Sequence, residues 1–374
     1  MILWASVIWL VYWHRTTSAS PPVELTDRQI AILLVSSLQL RVGERVLIPH
    51  DPGYFDELIR ELEREVRAAG AVPILTEWSL KGQPRPSAPL RELLEGVDVF
   101  FWSPFRTSLR EVTPAEAKDI ARWTDRGGHR RQIHFHWDQG SVEADGLPGE
   151  HTPALDRLYR AALRFDRAIL SRRQQAAARL LARGTVRVTT PAGTDLRFEI
   201  RSRPFNRQDG TASRARMARA RVRVDREVEF PGGVLRVAPV EETVNGTVVV
   251  PEARFGGQRV RELRLTFRDG KVESLMAREG LAAVQSELSA AGEAAFRFRE
   301  FGLGCHPGLR PLPGSKVIPY FGYGAGIVRL SLGDNEELGG SVRGGYRRWF
   351  FFPDATVVAG AARQLVSAGR LNLP

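Results

Sequence analysis

Two histidines and an aspartate alternate along one short segment, at His134, His136 and Asp138. Alternate side chains of an extended strand point to the same face, so these three groups could hold a metal ion together. The same pattern fits a half-buried strand end whose histidines are satisfied by hydrogen bonds. We favour the second interpretation, and the spacing alone leaves the first one open.

The single cysteine, Cys305, is followed directly by His306. A catalytic cysteine–histidine dyad needs its two side chains to face each other, whereas neighbours in a strand point apart. The sequence also has no Gly-x-Ser-x-Gly turn, so it carries no pattern of an acyl-transfer nucleophile. His306 is the one histidine between residue 152 and the C-terminus, which makes it a weak candidate metal ligand.

Three arginines, Arg219, Arg221 and Arg223, alternate with other residues and predict a strand with three guanidinium groups on one face. Such a face would attract an acidic peptide or another polyanion. A solvated surface strand has the same pattern, and we favour that interpretation.

Aromatic residues concentrate in two segments. Residues 319–326 combine glycines with Tyr320 and Tyr323, which suits either a flexible pocket wall or a bulged corner of a barrel. Residues 349–352 read Trp-Phe-Phe-Phe, and a strand would divide them between two faces. One face would belong to the core and the other to an interface or a pocket floor.

The charge balance would suit a polyanionic partner, because 54 Lys and Arg residues against 43 Asp and Glu residues give a net charge of +11. Only four of the 54 are lysines, and so large an excess of arginine is typical of GC-rich codon usage. We therefore predict neither nucleic acid nor a membrane as a partner. One cysteine allows no internal disulfide, so a cytoplasmic location is predicted.

The hydrophobic pattern divides the chain near residue 184. Residues 23–184 alternate helical and short apolar segments, which predicts an α/β domain with a parallel sheet and a bridging helix over residues 155–181. They contain no Gly-x-Gly-x-x-Gly turn and no Walker loop, so nucleotide binding is not expected. Residues 185–374 follow a period of two, which predicts a β-rich, barrel-like domain. The chain as a whole is therefore predicted to belong to the α+β class.

Within the N-terminal extension at residues 1–22, the apolar stretch at residues 1–13 is too short to span a bilayer. It fits a signal peptide, an extension from an upstream start codon or a first strand.

Several segments, in this order, resemble the aminopeptidase T family. They are residues 186–195 (VRVTTPAGTD), 231–239 (PGGVLRVAP), 245–248 (NGTV), 299–304 (REFGLG), 326–333 and 349–360. The resemblance covers residues 25–370 and extends to the 2,5-dihydroxypyridine dioxygenases, which share the architecture. It implies an α/β domain followed by a barrel-like domain, a dimer, and either a dinuclear peptidase centre or a single iron.

The resemblance also implies where metal ligands should lie. A Pro-x-Gly-Glu-Val segment is matched by residues 231–234 (PGGV), which have no side chain able to ligate, while the glutamate of Glu-x-Gly-x-Gly survives as Glu300. The histidine of a Gly-x-x-His-x-Ala-x-Gly strand is matched by Arg329. A His-x-Asp pair is matched by Arg348 and Phe350, and a late aspartate by Ala359.

Arginine stays protonated at any working pH and repels a divalent cation. We therefore predict a non-hydrolytic, peptide-binding protein derived from this fold, an accessory protein in peptide maturation or natural-product biosynthesis, with no catalytic residue, metal or cofactor. Its partners would be a peptide or a small carboxylate-bearing ligand and a second copy of the chain. The predicted ligand-binding residues are Glu300, Arg329, Arg348, Tyr320, Tyr323, Tyr346 and Trp349.

The alternative is a metal-dependent enzyme, an aminopeptidase or a ring-cleaving dioxygenase, whose ligands come from other positions. Carboxylates hold metal ions without imidazole in many proteins. The candidates for this alternative are Glu300, His306, Asp334, Glu336 and Glu337.

Overall fold

The computed structural model describes residues 24–77, 90–104, 114–360 and 363–373, so the extension at residues 1–22 lies outside the described residues. In the described part of the chain, no helix has the length and apolar character needed to cross a bilayer. The first half contains α1 (Asp27–Leu38), β1 (Arg45–His50), α2 (Asp56–Ala68), β2 (Val72–Glu77), α3 (Leu90–Leu94), β3 (Val99–Trp102), α4 (Pro114–Asp125), β4 (Arg131–His134), α5 (Pro153–Ala162) and α6 (Arg167–Leu181).

The second half is mostly strands. It contains β5 (Thr185–Thr189), β6 (Asp195–Glu199), β7 (Asn206–Arg207), α7 (Arg214–Met217), β8 (Glu227–Glu229), β9 (Val234–Val237), β10 (Asn245–Phe255), β11 (Gln258–Arg268), β12 (Lys271–Met276), α8 (Leu281–Ala291), β13 (Phe298–Gly304), β14 (Val328–Gly333), β15 (Arg347–Phe352), β16 (Thr356–Ala359), β17 (Arg363–Ser367) and β18 (Arg370–Leu371).

The first sheet is parallel, with strand order β2-β1-β3-β4-β8. Neighbouring side chains of one strand enter different cores, because strand residues alternate between the two faces. Ile48 of β1 packs with α1 and α2, whereas Leu47 packs with α3 and α4. The predicted helix-flanked parallel sheet is therefore confirmed.

The strand β8 comes from the second half of the sequence, yet it pairs with β4 and completes the first sheet. Residue 184 is consequently not a clean boundary between two independent sheets. The remaining strands form an eight-stranded sheet and a five-stranded sheet that share one large apolar core. The prediction of a β-rich second half is confirmed, and its strands pair antiparallel in two sheets.

The single bridging helix predicted for residues 155–181 is wrong, because the structure has two helices there. Asp166 lies between the two helices and caps the start of α6, since its carboxylate accepts the main-chain N–H groups of Ala168 and Ile169. An aspartate in this N-cap position satisfies amides that have no partner inside the helix.

The strand predicted around Arg219, Arg221 and Arg223 is also absent from the described fold. The chain forms α7, a turn and a short 3-10 helix before β8 begins. The Asp225 carboxylate accepts the main-chain N–H groups of Arg221 and Val222, which bends the backbone out of the extended conformation.

The glycine-rich segment at residues 319–326 is a tightly packed corner. A Cβ on Gly324 would lie 2.0 Å from the carbonyl oxygen of Leu309, and one on Gly304 would lie 2.0 Å from the carbonyl oxygen of Gly324. Backbone therefore packs on backbone here, which favours the predicted barrel corner over the flexible wall. The corner places Tyr320 and Tyr323 against the first half of the chain.

A buried ion pair joins the first residue of β4, Arg131, to Glu44, which directly precedes β1. Arg131 donates to both carboxylate oxygens of Glu44 at 3.0 Å, and Arg214 of α7 donates to the same group at 2.7 Å. Burial would raise the pKa of Glu44, but the hydrogen bonds and charges of Arg131 and Arg214 outweigh it and lower the pKa to about 2.

Glu44 should therefore make the free energy of unfolding depend on pH in the acidic range. The folded pKa lies below the ordinary value, so the stabilisation is complete above pH 4.5 and disappears as the pH falls towards about 2. Urea titrations should show a gap in unfolding free energy between wild type and Glu44→Gln that shrinks from pH 7 to pH 3. Glu57→Gln, which removes an exposed ion pair with Arg60, is the control and should change little. A gap independent of pH would contradict the prediction.

Candidate functional site

The predicted ligand position Glu300 lies inside an ion cluster of two carboxylates and four guanidinium groups, all of them buried except that of Arg347. Strands β9, β13, β14 and β15 and the 3-10 helix Glu336–Leu338 carry its members. The residues of this ion cluster are Glu300, Glu337, Arg236, Arg299, Arg329 and Arg347.

Three arginines occupy both oxygens of Glu300. Arg236 donates through Nη2 at 2.8 Å and Nε at 3.3 Å, Arg329 donates through Nε at 2.9 Å, and the neighbouring Arg299 donates through Nη1. Burial would raise the pKa of Glu300, but the charges of these three arginines hold it well below its ordinary value. The carboxylate is ionised, and guanidinium groups already surround it.

Glu337 is the second anion of the ion cluster. It accepts from Arg236 at 2.9 Å and from Arg347 at 2.8 Å, and Arg299 also donates to it. Burial opposes these arginines, yet they lower the pKa of Glu337 to about 2. Four cations against two anions leave the ion cluster positively charged.

The other predicted ligand-binding side chains fall into separate groups. The pairing of Arg329 with Glu300 is as expected, and Trp349 stacks under Arg299 and Arg329 at 5.6 Å. Arg348 does not reach Glu300. It lies 3.4 Å from Glu287, donates to the carbonyl of Arg254 and covers the ring of Phe255.

Tyr346 belongs with Arg348, because its hydroxyl donates to Glu287 at 2.8 Å. Tyr320 instead joins the two halves of the chain. Its hydroxyl donates to the carbonyl of Phe230 and accepts the N–H of His136 at 3.3 Å. Tyr323 lies between Tyr320 and the ion cluster, because its ring is 5.5 Å from that of Tyr320 and 6.0 Å from the guanidinium group of Arg329. Arg348 and Tyr346 are thus the predicted residues that lie apart from Glu300.

His306 has no ring nitrogen available for a metal. Its Nε2 donates to the carbonyl oxygen of Ala162 at 3.1 Å, and its Nδ1 accepts the N–H of Gly308 at 3.0 Å. Burial lowers its pKa to about 4, so the ring is neutral. Burial raises the pKa of Cys305 to about 12, and its thiol points to the carbonyl of Leu303, so the two residues form no dyad.

The histidines at the end of β4 do lie together, but their acidic neighbour is Glu229 and not Asp138. His134 Nδ1 lies 3.0 Å from His136 Nε2 and 3.5 Å from Glu229 Oε1. Asp138 faces Tyr54 and accepts the N–H of Gln139, and burial raises its pKa to about 6. We call His134, His136 and Glu229 the His–Glu group.

No local pattern in the sequence points to Glu229. It meets His134 because β8 runs beside β4 in a register that pairs these two residues. Burial raises the pKa of Glu229 to about 8, and Arg236 and Arg329 offset only part of this shift. Burial and the neighbouring His136 lower the pKa of His134 well below its ordinary value, so its imidazole is neutral.

A surface groove of about 610 Å³ runs between α6 and residues 203–225. Two of its arginines have ion-pair partners, since Arg203 pairs with Glu241 outside the groove lining and Arg216 pairs with Asp209 in the groove wall. Four others have no ion-pair partner among the residues that the structure describes. The six arginines that line this arginine groove are Arg179, Arg203, Arg207, Arg216, Arg219 and Arg221.

Comparisons with known proteins define the class of fold. No protein-family model matches the chain, and no curated protein matches it. Two solved structures match almost end to end, which makes this a chain of their two-part α/β fold. The 2,5-dihydroxypyridine dioxygenase from Pseudomonas putida KT2440 has a TM-score of 0.61 at 14% identity, covering 94% of this chain and 99% of that one. Wild-type AmpT from Thermus thermophilus has a TM-score of 0.60 at 18% identity, covering 93% and 99%.

The fold expected from the resemblance is confirmed, whereas a metal centre at the resembling positions does not fit this chain. Both glycines of residues 231–234 lack room for a side chain. A Cβ on Gly232 would lie 2.7 Å from the carbonyl oxygen of Gln208, and one on Gly233 would lie 2.8 Å from the Cβ of His306. Phe350 is buried in the apolar core, and Glu300 is enclosed by guanidinium groups.

Proposed function

We propose that this chain binds an acidic peptide in the arginine groove and does not hydrolyse it through a metal centre of the kind the resemblance implies. Four guanidinium groups without ion-pair partners in the described chain line one concave surface, and this observation carries the proposal. The ion cluster supports the non-hydrolytic part, because it fills the position where Glu300 would otherwise be a ligand. A role as an accessory protein in peptide maturation or natural-product biosynthesis agrees with both.

An acidic peptide suits the groove better than a nucleic acid. Single-stranded nucleic acids bind through aromatic side chains on which successive bases stack. Phe205 is the one aromatic residue in the wall of the arginine groove. Side-chain carboxylates, in contrast, match the planar guanidinium groups of Arg207, Arg219 and Arg221 directly.

The groove proposal is tested by reversing two of its charges. Fluorescence anisotropy of a short labelled Glu-rich peptide should give saturable binding to the wild type and none with a Lys-rich peptide. The double variant Arg207→Glu/Arg219→Glu should weaken binding by about 100-fold or more, because each lost charge-assisted hydrogen bond contributes about 1.5–3 kcal/mol. Mass spectrometry after incubation should recover the peptide intact.

The matched control is Arg264→Glu/Arg268→Glu on β11, which changes the net charge equally. It should leave the affinity within about threefold, since long-range charge effects are screened by salt. Equal losses in both double variants would contradict a groove site. An oligonucleotide that binds more tightly than the peptide, or cleavage of the peptide, would also contradict the proposal.

The alternative of a metal-dependent enzyme is less well supported, because the protein itself already engages the carboxylates considered as its ligands. Glu337 belongs to the ion cluster, Glu336 pairs with Arg343, and both oxygens of Asp334 accept main-chain N–H groups. The small carboxylate ligand and the homodimer stay predictions. Sedimentation velocity tests the second of these.

A further inference from the structure

The His–Glu group has the composition of a metal site, and it lies outside every position that the resemblance implies. We propose that His134, His136 and Glu229 bind one divalent transition-metal ion of the zinc or iron class at the carboxyl edge of the first sheet. Two imidazoles and one carboxylate are a ligand set that such ions accept. The proposal does not depend on peptide binding in the arginine groove.

The spacing of the donor atoms fits a single ion. The facing atoms of the three side chains all lie within 4.8 Å of one another. His134 Nδ1 is 3.0 Å from His136 Nε2 and 3.5 Å from Glu229 Oε1. Tetrahedral bonds of about 2.0–2.1 Å separate two ligand atoms by roughly 3.3 Å, so only small rotations are needed.

A neighbouring amide orients the ring of His134. Trp102 Nε1 donates to Gln132 Oε1 at 2.7 Å, which identifies that atom as the carbonyl oxygen. The same oxygen lies 3.1 Å from His134 Nε2, so this nitrogen carries the proton. The lone pair of Nδ1 therefore points at His136 and Glu229, as expected for a ligand held by a second layer of hydrogen bonds.

The carboxyl group of Glu229 is only partly satisfied by the protein, because the Tyr323 hydroxyl bonds to it while one oxygen is left without a partner in the described chain. The side chain is nearly buried, and Oε2 has no hydrogen-bond partner among the described residues. An unpartnered buried oxygen is costly, and a cation would satisfy it. The three ligands would leave at least one coordination position open to water or to a ligand, which is the arrangement of a reactive site and not of a purely structural one.

The experiment measures metal binding directly. Purified full-length protein, dialysed against a chelator, is titrated with Co²⁺ by visible absorption and with Zn²⁺ by calorimetry. One equivalent should bind, and His134→Ala, His136→Gln and Glu229→Gln should each weaken binding by about 100-fold or more. Gln132→Met, which removes the orienting oxygen, should weaken it by about 10- to 100-fold.

His129→Ala is the matched control, because His129 also faces carboxylates, those of Asp98 and Glu44. It should bind Co²⁺ like the wild type, and circular dichroism identifies any variant that fails to fold. His136 is only half-buried, so His136→Gln is expected to fold even where a β4 variant does not. No stoichiometric binding by the wild type, or full binding by folded His136→Gln, would overturn the proposal. A variant of the His–Glu group that loses the metal but still binds the Glu-rich peptide would support the metal site independently of the arginine groove.

Discussion

Replacement of Glu300 by Gln should lower the free energy of unfolding by about 3–5 kcal/mol, because it removes one partner from a buried charge network. Arg236, Arg299 and Arg329 all donate to this carboxylate, and Arg299 is fully buried beside it. A glutamine accepts these hydrogen bonds through one oxygen only, presents an NH2 donor in place of the other, and neutralises none of the charges. Urea unfolding followed by circular dichroism measures the effect.

The control for this experiment is Glu336→Gln. Glu336 lies on the same short 3-10 helix as Glu337, but it is exposed and pairs with Arg343 at 3.0 Å. An exposed ion pair contributes about 0–1 kcal/mol, so the control should unfold almost like the wild type. If Glu300 served as a metal ligand, Glu300→Gln would lower the content of bound metal and leave the stability of the metal-free protein unchanged. That outcome would contradict the structural role.

Replacement of Gly324 by Ala should cost about 3 kcal/mol of unfolding free energy, the upper end of what overpacking usually costs. The added methyl group would meet the carbonyl oxygen of Leu309 at 2.0 Å, and a backbone atom cannot rotate away. The corner must shift as a whole, and it carries Tyr320 and Tyr323. Because Tyr320 bonds to the backbone beside the His–Glu group, the Co²⁺ affinity should fall as well.

Gly308→Ala provides the comparison. Its added Cβ would lie 3.2 Å from the nearest atom, which belongs to the His306 ring, so a shift of a few tenths of an ångström is enough to relieve the contact. We expect less than about 1 kcal/mol of destabilisation, as is usual for changes away from tightly packed features. Equal effects of the two substitutions would mean that the corner is flexible and that its glycines serve another purpose.

Local patterns in the sequence predicted the first sheet because each strand and each helix carries its own periodicity. Leu47 and Ile48 are neighbours in an apolar run, and such runs are typical of strands buried on both faces. The resemblance supplied the order of the remaining segments, and the matching solved structures confirm that fold.

Contacts between distant strands were not predictable in the same way. Arg236 was absent from the predicted site, and Glu337 was considered only as a metal ligand of the alternative, although both belong to the ion cluster. Their meeting depends on the register between β9 and β13 and on the turn after β14, which no local spacing encodes. Glu229 escaped prediction for the same reason, since it lies far along the chain from His134.

Side-chain hydrogen bonds to the backbone explain the two elements that were wrongly predicted. Asp166 and Asp225 each offer an oxygen to main-chain amides, and this local bonding overrides the periodicity of the residues around them. Periodicity in hydrophobic residues reports which face is buried. It does not report where a short polar side chain interrupts the backbone.

The path of β8 has a consequence for how this molecule can change over evolutionary time. A gene fragment ending near residue 184 would encode a sheet whose β4 edge exposes unpaired amides and carbonyls, the kind of edge that recruits foreign strands. The return of Glu227–Glu229 to the sheet therefore makes the first half dependent on the second for a covered sheet edge. Recombination can exchange both halves together, but replacing the second half with an unrelated sequence would leave the β4 edge unpaired and prone to aggregation.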